Sequence, residues 1–249
     1  MEDEPAGKGL MGAISEYASR GLLLFVLLFL IEVGVYLLVA SLPFFPGEKA
    51  SFVNLSNQIG SEFKNASLAT QFFGIFTNNF RIGLIEMIPG LGSAFFAVSL
   101  YTTGRIIEVE ALTQGVSPVL LVLFLFIFPY SYIELPAYAV ATGEGLYLSY
   151  AILRWLFSTG GRPVNFRAEA WQLFVNIMIV AVMLAVAALF ESVQLQLIED
   201  NPGFFWVTWI PFVGIVWLAI VLNRRLGRMR REKGSGLSSQ LKREDSPHL

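Results

Sequence analysis

The sequence predicts an all-α protein: a polytopic transmembrane helical bundle of about six spans, with one broken helix and a central helical hairpin. Three observations carry this expectation. The first is composition: of 249 residues, 55% are hydrophobic and only 14% charged, whereas a soluble domain carries roughly one-quarter charged residues. Mean hydropathy is +0.63. The second is run length, since several apolar stretches approach the roughly 20 residues that a helix needs to cross a hydrocarbon core of about 30 Å. The third is segregation of charge, with eight of the seventeen basic residues lying from Arg224 onward.

Residues 1 to 20 form a polar, N-terminal cytoplasmic segment without the basic n-region of a signal peptide. The bundle covers 21 to 224, and 225 to 249 is a basic, disordered cytoplasmic tail. The first span is GLLLFVLLFLIEVGVYLLVASLPFF, 21 to 45, ended by Pro43 and Pro46. The polar stretch from 47 to 70 reads as a short surface helix plus loop. Its N-x-S sequons at Asn54 and Asn65 are of a kind that arises by chance.

QFFGIFTNNFRIGLIEMI, 71 to 88, is the first arm of the hairpin, and PGLG turns the chain through Pro89, Gly90 and Gly92. The second arm runs from Ser93 to about Ile107 and continues into the charged EVEALTQG. Pro118 opens the next helix, because proline is tolerated in a first turn. That helix, VSPVLLVLFLFIF, has 13 residues before Pro129, too few to cross alone. Pro129, Tyr130, Ser131 and Pro136 make up the helix break, and the chain is helical again from 133 to 157. A further span follows at 168 to 190. The acidic link ESVQLQLIEDNPG leads to the last span, 204 to 223, whose Trp206, Trp209 and Trp217 suit membrane interfaces.

Lysine and arginine set the orientation. The lipid-facing basic tail, Arg224, Arg225, Arg228, Arg230 and Arg231, belongs in the cytoplasm. The loop with Arg154, Arg162 and Arg167 falls on the same side, and the link with Glu191, Glu199 and Asp200 falls outside. One crossing by residues 117 to 157 gives six spans and an internal N-terminus; two crossings give seven and an external one. The 13-residue arm favours six. The expected location is the cell membrane, multi-pass, with the C-terminus cytoplasmic.

Missing residue types exclude most enzyme classes. There is no cysteine, and the only histidine is His248, in the tail. Hydrolytic triads and zinc sites therefore cannot form inside the bundle. Asp3, Asp200 and Asp245 lie outside the apolar runs, as do all five lysines, which removes intramembrane aspartyl dyads and serine–lysine pairs. No catalytic residue, metal or cofactor is expected. A net charge of -2 argues against nucleic acid. The expected partners are membrane lipids and other membrane proteins or further copies of the chain.

Polar residues inside the apolar runs are the candidate site: Glu32, Asn78, Asn79, Arg81, Glu86 and Glu134. A charged side chain at bilayer depth costs about 2.5 to 3.5 kcal/mol on insertion scales, so each asks for a partner. Arg81 is the expected partner of Glu134. Two readings follow, a proton or ion path and an internal structural ion pair; the second is the commoner arrangement. Pro129 and Pro136 free backbone carbonyls near Glu134, which is tolerated at depth only against protein or a cavity. Ala137, Ala141 and Gly145, at spacing four, suit close helix contact.

Three motifs in order, FGIFTNNF at 73 to 80, PGLG followed by Thr103 and Gly104, and P-x-x-x-x-E-L-P-A at 129 to 137, resemble the stage II sporulation protein M family of integral membrane proteins. The resemblance covers roughly residues 15 to 195. Where the family often has His-Gly after the first proline, this chain has Tyr130 and Ser131, so no histidine role carries over. The family is usually a span shorter, which makes 204 to 223 an added helix. The resemblance implies a membrane anchor, since members in spore-forming bacteria hold a cell-wall-degrading engulfment complex and are not themselves hydrolases. The expected function is a non-enzymatic integral membrane scaffold or membrane-remodelling component. The alternative is a transporter or permease subunit that uses Glu32, Glu86 and Glu134 for ion or substrate coupling.

Overall fold

A computed structural model describes residues 10–63, 66–157, 166–218, 220–221 and 224. The chain is all-α, with no strand among these residues. It divides into two compact units, Met1–Phe205 and Trp206–Leu249.

In the first unit, α1 (Leu10–Val39) is one continuous helix, so it starts inside the polar segment expected to end at residue 20. Pro43 and Pro46 follow its end, and Gly47, at φ 81°, turns the chain into α2 (Glu48–Phe63). Glu48, in the first turn of α2, reaches back to accept the Phe45 N–H at 2.7 Å, closing the turn that precedes the helix. Ser67 caps α3 (Leu68–Glu86) by accepting the Thr70 N–H at 3.2 Å.

The hairpin turn takes its form from Gly90, whose φ of 79° disfavours any residue with a Cβ. Beyond it, α4 (Leu91–Thr113) runs on as one helix through the charged stretch that follows Ile107. Gly115, at φ 70°, then redirects the chain into α5 (Pro118–Leu125), bent by 114° from α4. The helix break lies at residues 126–130, between α5 and α6 (Ser131–Phe157). Pro129 is buried within it, and the Ser131 hydroxyl donates to the Leu125 carbonyl at 2.8 Å, satisfying one orphan acceptor across the gap. Pro136, expected at the interruption, instead sits inside α6.

α7 (Phe166–Asp200) runs through the stretch expected to be a link. The reason is plain in its sequence: no glycine or proline occurs before Pro202 and Gly203, so nothing stops the helix after Phe190. α3 and α6 both pack along α7, α1 packs on α6 and α4, and α2 covers α4. Leu28, Leu100, Ala137, Ala141, Val180 and Leu184 are central to the shared core.

Among the described residues, Arg167–Ile198 alone is long and apolar enough to cross a membrane unaided. α4 and α5 pass that test only as a bent pair, and Leu23–Val39 and Trp206–Leu218 are apolar but shorter. Trp206–Leu218 belongs to the second unit, where the Trp209 ring meets Phe212 edge-on at 5.3 Å between centroids. Of the basic tail, Arg224 is exposed. Arg225, Arg228, Arg230 and Arg231 lie outside the described residues, as do Asn65 and Arg162.

Candidate functional site: a buried carboxylate cluster

Helical phase builds the site. Asn79 and Glu86, seven residues apart, share one face of α3. Glu134, Tyr138 and Thr142, at spacing four, share one face of α6. The two faces meet in register: the Asn79 amide donates to Glu134 Oε1 at 2.9 Å, and Thr142 Oγ1 donates to Glu86 Oε2 at 3.3 Å. A step of seven on one helix matched by eight on the other means that α3 and α6 run in the same direction here. Tyr138 OH adds a longer contact of 3.4 Å to the same oxygen of Glu134.

From α1, Glu32 faces this seam. It is fully buried, and neither carboxyl oxygen has a hydrogen-bond partner. Glu86 and Glu134 lie close enough for their charges to act on it. The Tyr36 hydroxyl, one turn along, approaches Glu32 without completing a hydrogen bond. From α7, Glu191 and Glu134 act on each other electrostatically. Four helices thus contribute carboxyl groups to one seam, with Glu32 and Glu86 buried and Glu134 and Glu191 half-buried.

Two glycines allow the helices to close. A Cβ on either Gly92 or Gly145 would run into the Glu86 backbone carbonyl. The turn thus uses Gly90 for its conformation and Gly92 for packing, and the small face Ala137, Ala141 and Gly145 makes the close contact its spacing suggests. Beside it, the Asn176 amide on α7 donates to Glu144 Oε2 on α6 at 2.5 Å, while Glu144 Oε1 is buried without a partner.

The expected pairing of Arg81 with Glu134 is absent. Arg81 and Asn78 are on the exposed side of α3, and the Asn78 amide donates to Asn79 Oδ1 at 3.3 Å. The buried arginine is Arg105 on α4, which is fully enclosed and engaged elsewhere. Its guanidinium donates to the carbonyls of Leu42 at 2.8 Å and Pro43 at 3.2 Å, just past the end of α1. It also bridges Glu108 at 2.6 Å and Glu48 at 3.3 Å, and lies 4.8 Å from the centroid of the Phe44 ring. A cation at a helix C-terminus is favourable, so Arg105 ties α1, α2 and α4 together. At Glu48 burial pushes the carboxyl up, but hydrogen bonds from Tyr101 and Phe45 and the Arg105 charge together hold it below its ordinary value.

Of the break residues, Pro129 and Ser131 are buried and Tyr130 is half-buried, its ring stacked on Phe128. Glu144, Asn176, Arg105 and Glu191 escaped the sequence reading. Glu144 and Asn176 carried the same signal as Glu32, a polar residue inside an apolar run. No group of three or more acidic or histidine side chains among the described residues is placed to hold a metal ion.

No curated protein and no solved structure matches the chain. The model of one family, described as Stage II sporulation protein M, matches residues 12–193, which include all four carboxyl residues of the seam. The chain belongs to the stage II sporulation protein M family.

Proposed function

We propose that the chain is a multi-pass protein of the cell membrane, of about six spans, acting as a non-enzymatic scaffold or membrane-remodelling component that anchors partner proteins. The observation that carries the membrane reading is an inside-out distribution of polarity. Glu32, Glu86, Arg105, Glu144 and Asn176 are enclosed, while Leu23 is 82% exposed, Phe157 79% and Leu120 60%. A soluble chain exposes such side chains singly; here they are spread over α1, α5, α6 and α7. Hydrocarbon solvates that surface and excludes the carboxyl groups. The basic residues from Arg224 onward support a cytoplasmic C-terminus.

The scaffold reading is supported by the closed seam, in which backbone meets backbone at Gly92 and Gly145. A seam of this kind holds helices in fixed relation and offers rigid faces to other membrane proteins. The experiment is membrane extraction combined with reconstitution. The chain should resist alkaline extraction from membranes, keep its assembly state with Glu134→Gln, and give liposomes no ion flux. Release at alkaline pH would end the membrane reading.

Glu32 favours a second reading, a transporter or permease subunit coupling through Glu32, Glu86 and Glu134. A buried acid without a donor is costly, and transporters keep such groups for ion coupling. Flux that Glu134→Gln abolishes would select it over the scaffold.

A further inference from the structure

From the way Glu32 is placed against the α3–α6 seam, we infer that the cluster is a proton-binding site: Glu32, Glu86, Glu134 and Glu191 together hold exchangeable protons and take no metal ion. The inference rests on the membrane placement proposed above, because lipid rather than water then surrounds the bundle.

Two independent observations meet here. One is the juxtaposition of carboxyl groups from α1, α3, α6 and α7, close enough to act on one another. The other is Glu32 itself, fully buried, facing Glu86 and Glu134, with both oxygens lacking a donor. Glu134 and Glu86 receive hydrogen bonds from neutral groups, Asn79 and Tyr138 on Glu134 and Thr142 on Glu86. Among the described residues, no ion pair reaches any of them. Arg81 is exposed, and Arg105 is committed to Glu48 and Glu108.

The groups facing Glu32 can be named helix by helix. α1 itself supplies Tyr36; α3 supplies Glu86; α4 supplies Thr103, beside Tyr36; α6 supplies Glu134 and Tyr138; α7 supplies Glu191, through Glu134. α5 is wholly apolar. Like charges sharing a dry site cannot all ionise, and an isolated buried carboxylate is far costlier than its acid. A hard divalent cation would need six or more oxygen ligands, and no metal-competent grouping exists among the described residues. A proton needs one oxygen and removes the buried charge. Proton uptake therefore answers the missing counter-charge.

The test uses the full chain in lipid nanodiscs and infrared difference spectra between acidic and alkaline buffer, in H₂O and D₂O. The expected result is a carboxylic-acid C=O band that shifts in D₂O, loses intensity in Glu32→Gln and weakens again in the Glu32→Gln, Glu134→Gln double variant. Unfolded variants are recognised by circular dichroism, and Glu86→Gln then supplies the comparison. A wild-type spectrum without that band, or one unchanged in every folded glutamine variant, overturns the proposal. So does calcium or sodium producing the same spectral change at constant pH. Liposome flux is read separately: the band without flux keeps the proton site and removes transport coupling, whereas loss from membranes at alkaline pH removes the premise itself.

Discussion

Asn79 on α3 donates its side-chain amide to Glu134 on α6 at 2.9 Å, and one level along the same seam Thr142 reaches Glu86. Asn79 is thus the closest donor that Glu134 has among the described residues, the Tyr138 hydroxyl standing further off at 3.4 Å. Replacing Asn79 with leucine should remove that donor and leave the acid poorly satisfied, a loss of about 1 to 3 kcal/mol. Asn79→Asp should cost more, because it sets a second acid against the first. Thermal unfolding in detergent measures both. Equal stability for Asn79→Leu and wild type would show that the contact contributes nothing.

The glycine contacts predict a sharp contrast among three alanine substitutions. At Gly145 and Gly92 a methyl group has to displace the Glu86 backbone carbonyl, so each should destabilise by about 1 to 3 kcal/mol, as overpacking does. At Gly34, in α1, an added methyl group would meet nothing within 4 Å. There alanine should stabilise by about 0.5 to 1 kcal/mol through helix propensity alone. If all three shift the melting temperature alike, the close approach of α3, α4 and α6 is wrong.

These contacts also show which parts of the fold the sequence disclosed. PGLG named its turn because glycine alone accepts φ 79° at Gly90, and the small face of α6 named its own packing. The partner of Glu134 was legible too, but only through phase. Positions 79 and 86 fall on one face, while position 81 is rotated about 200° from 79, so an inward Asn79 forces Arg81 outward. Charge alone suggested the arginine; helical geometry selects the amide. By contrast, nothing local revealed that Arg105 bridges the α1–α2 loop, since Leu42 and Pro43 come within its reach only through tertiary packing.

Arg105 should be among the least replaceable residues. Arg105→Gln leaves Glu48 and Glu108 facing each other without their shared cation and frees the carbonyls beyond α1. Breaking a buried ion pair in this way costs about 3 to 5 kcal/mol. Lysine keeps the charge but lacks the planar fork that spans several acceptors, so Arg105→Lys should recover only part of the loss. Full recovery by lysine, followed by denaturant unfolding, would reduce the site to a simple charge requirement.

Glu48 gives the chain an acid-sensitive joint. Its carboxyl is held below the ordinary value by Tyr101, Phe45 and Arg105 acting against burial. The sign follows from linkage: a group whose folded value is depressed contributes stability above its unfolded value, about 4.3 for glutamate, and loses it as pH falls through the folded one. Glu48→Gln should therefore be less stable than wild type near neutrality, and the gap should close in acid below about pH 4. A gap that stays constant or widens in acid would show that Glu48 acts through shape and not through charge.

Substitution of Glu32 should act with the opposite sign from substitution of Asn79, Gly92, Gly145 or Arg105. An acid with two unpartnered, enclosed oxygens subtracts from stability, whereas the same volume of hydrocarbon would add to it. Glu32→Met should raise the melting temperature and gain about 1 to 3 kcal/mol, the penalty ordinarily attached to an unsatisfied buried polar group. Residues kept at such a cost serve activity in preference to folding, so the same variant should lose whatever the membrane-embedded seam does. Stability measured in nanodiscs decides the physical half of the argument. A methionine variant less stable than wild type would mean that Glu32 has a partner in the membrane, and the seam would then be a structural junction.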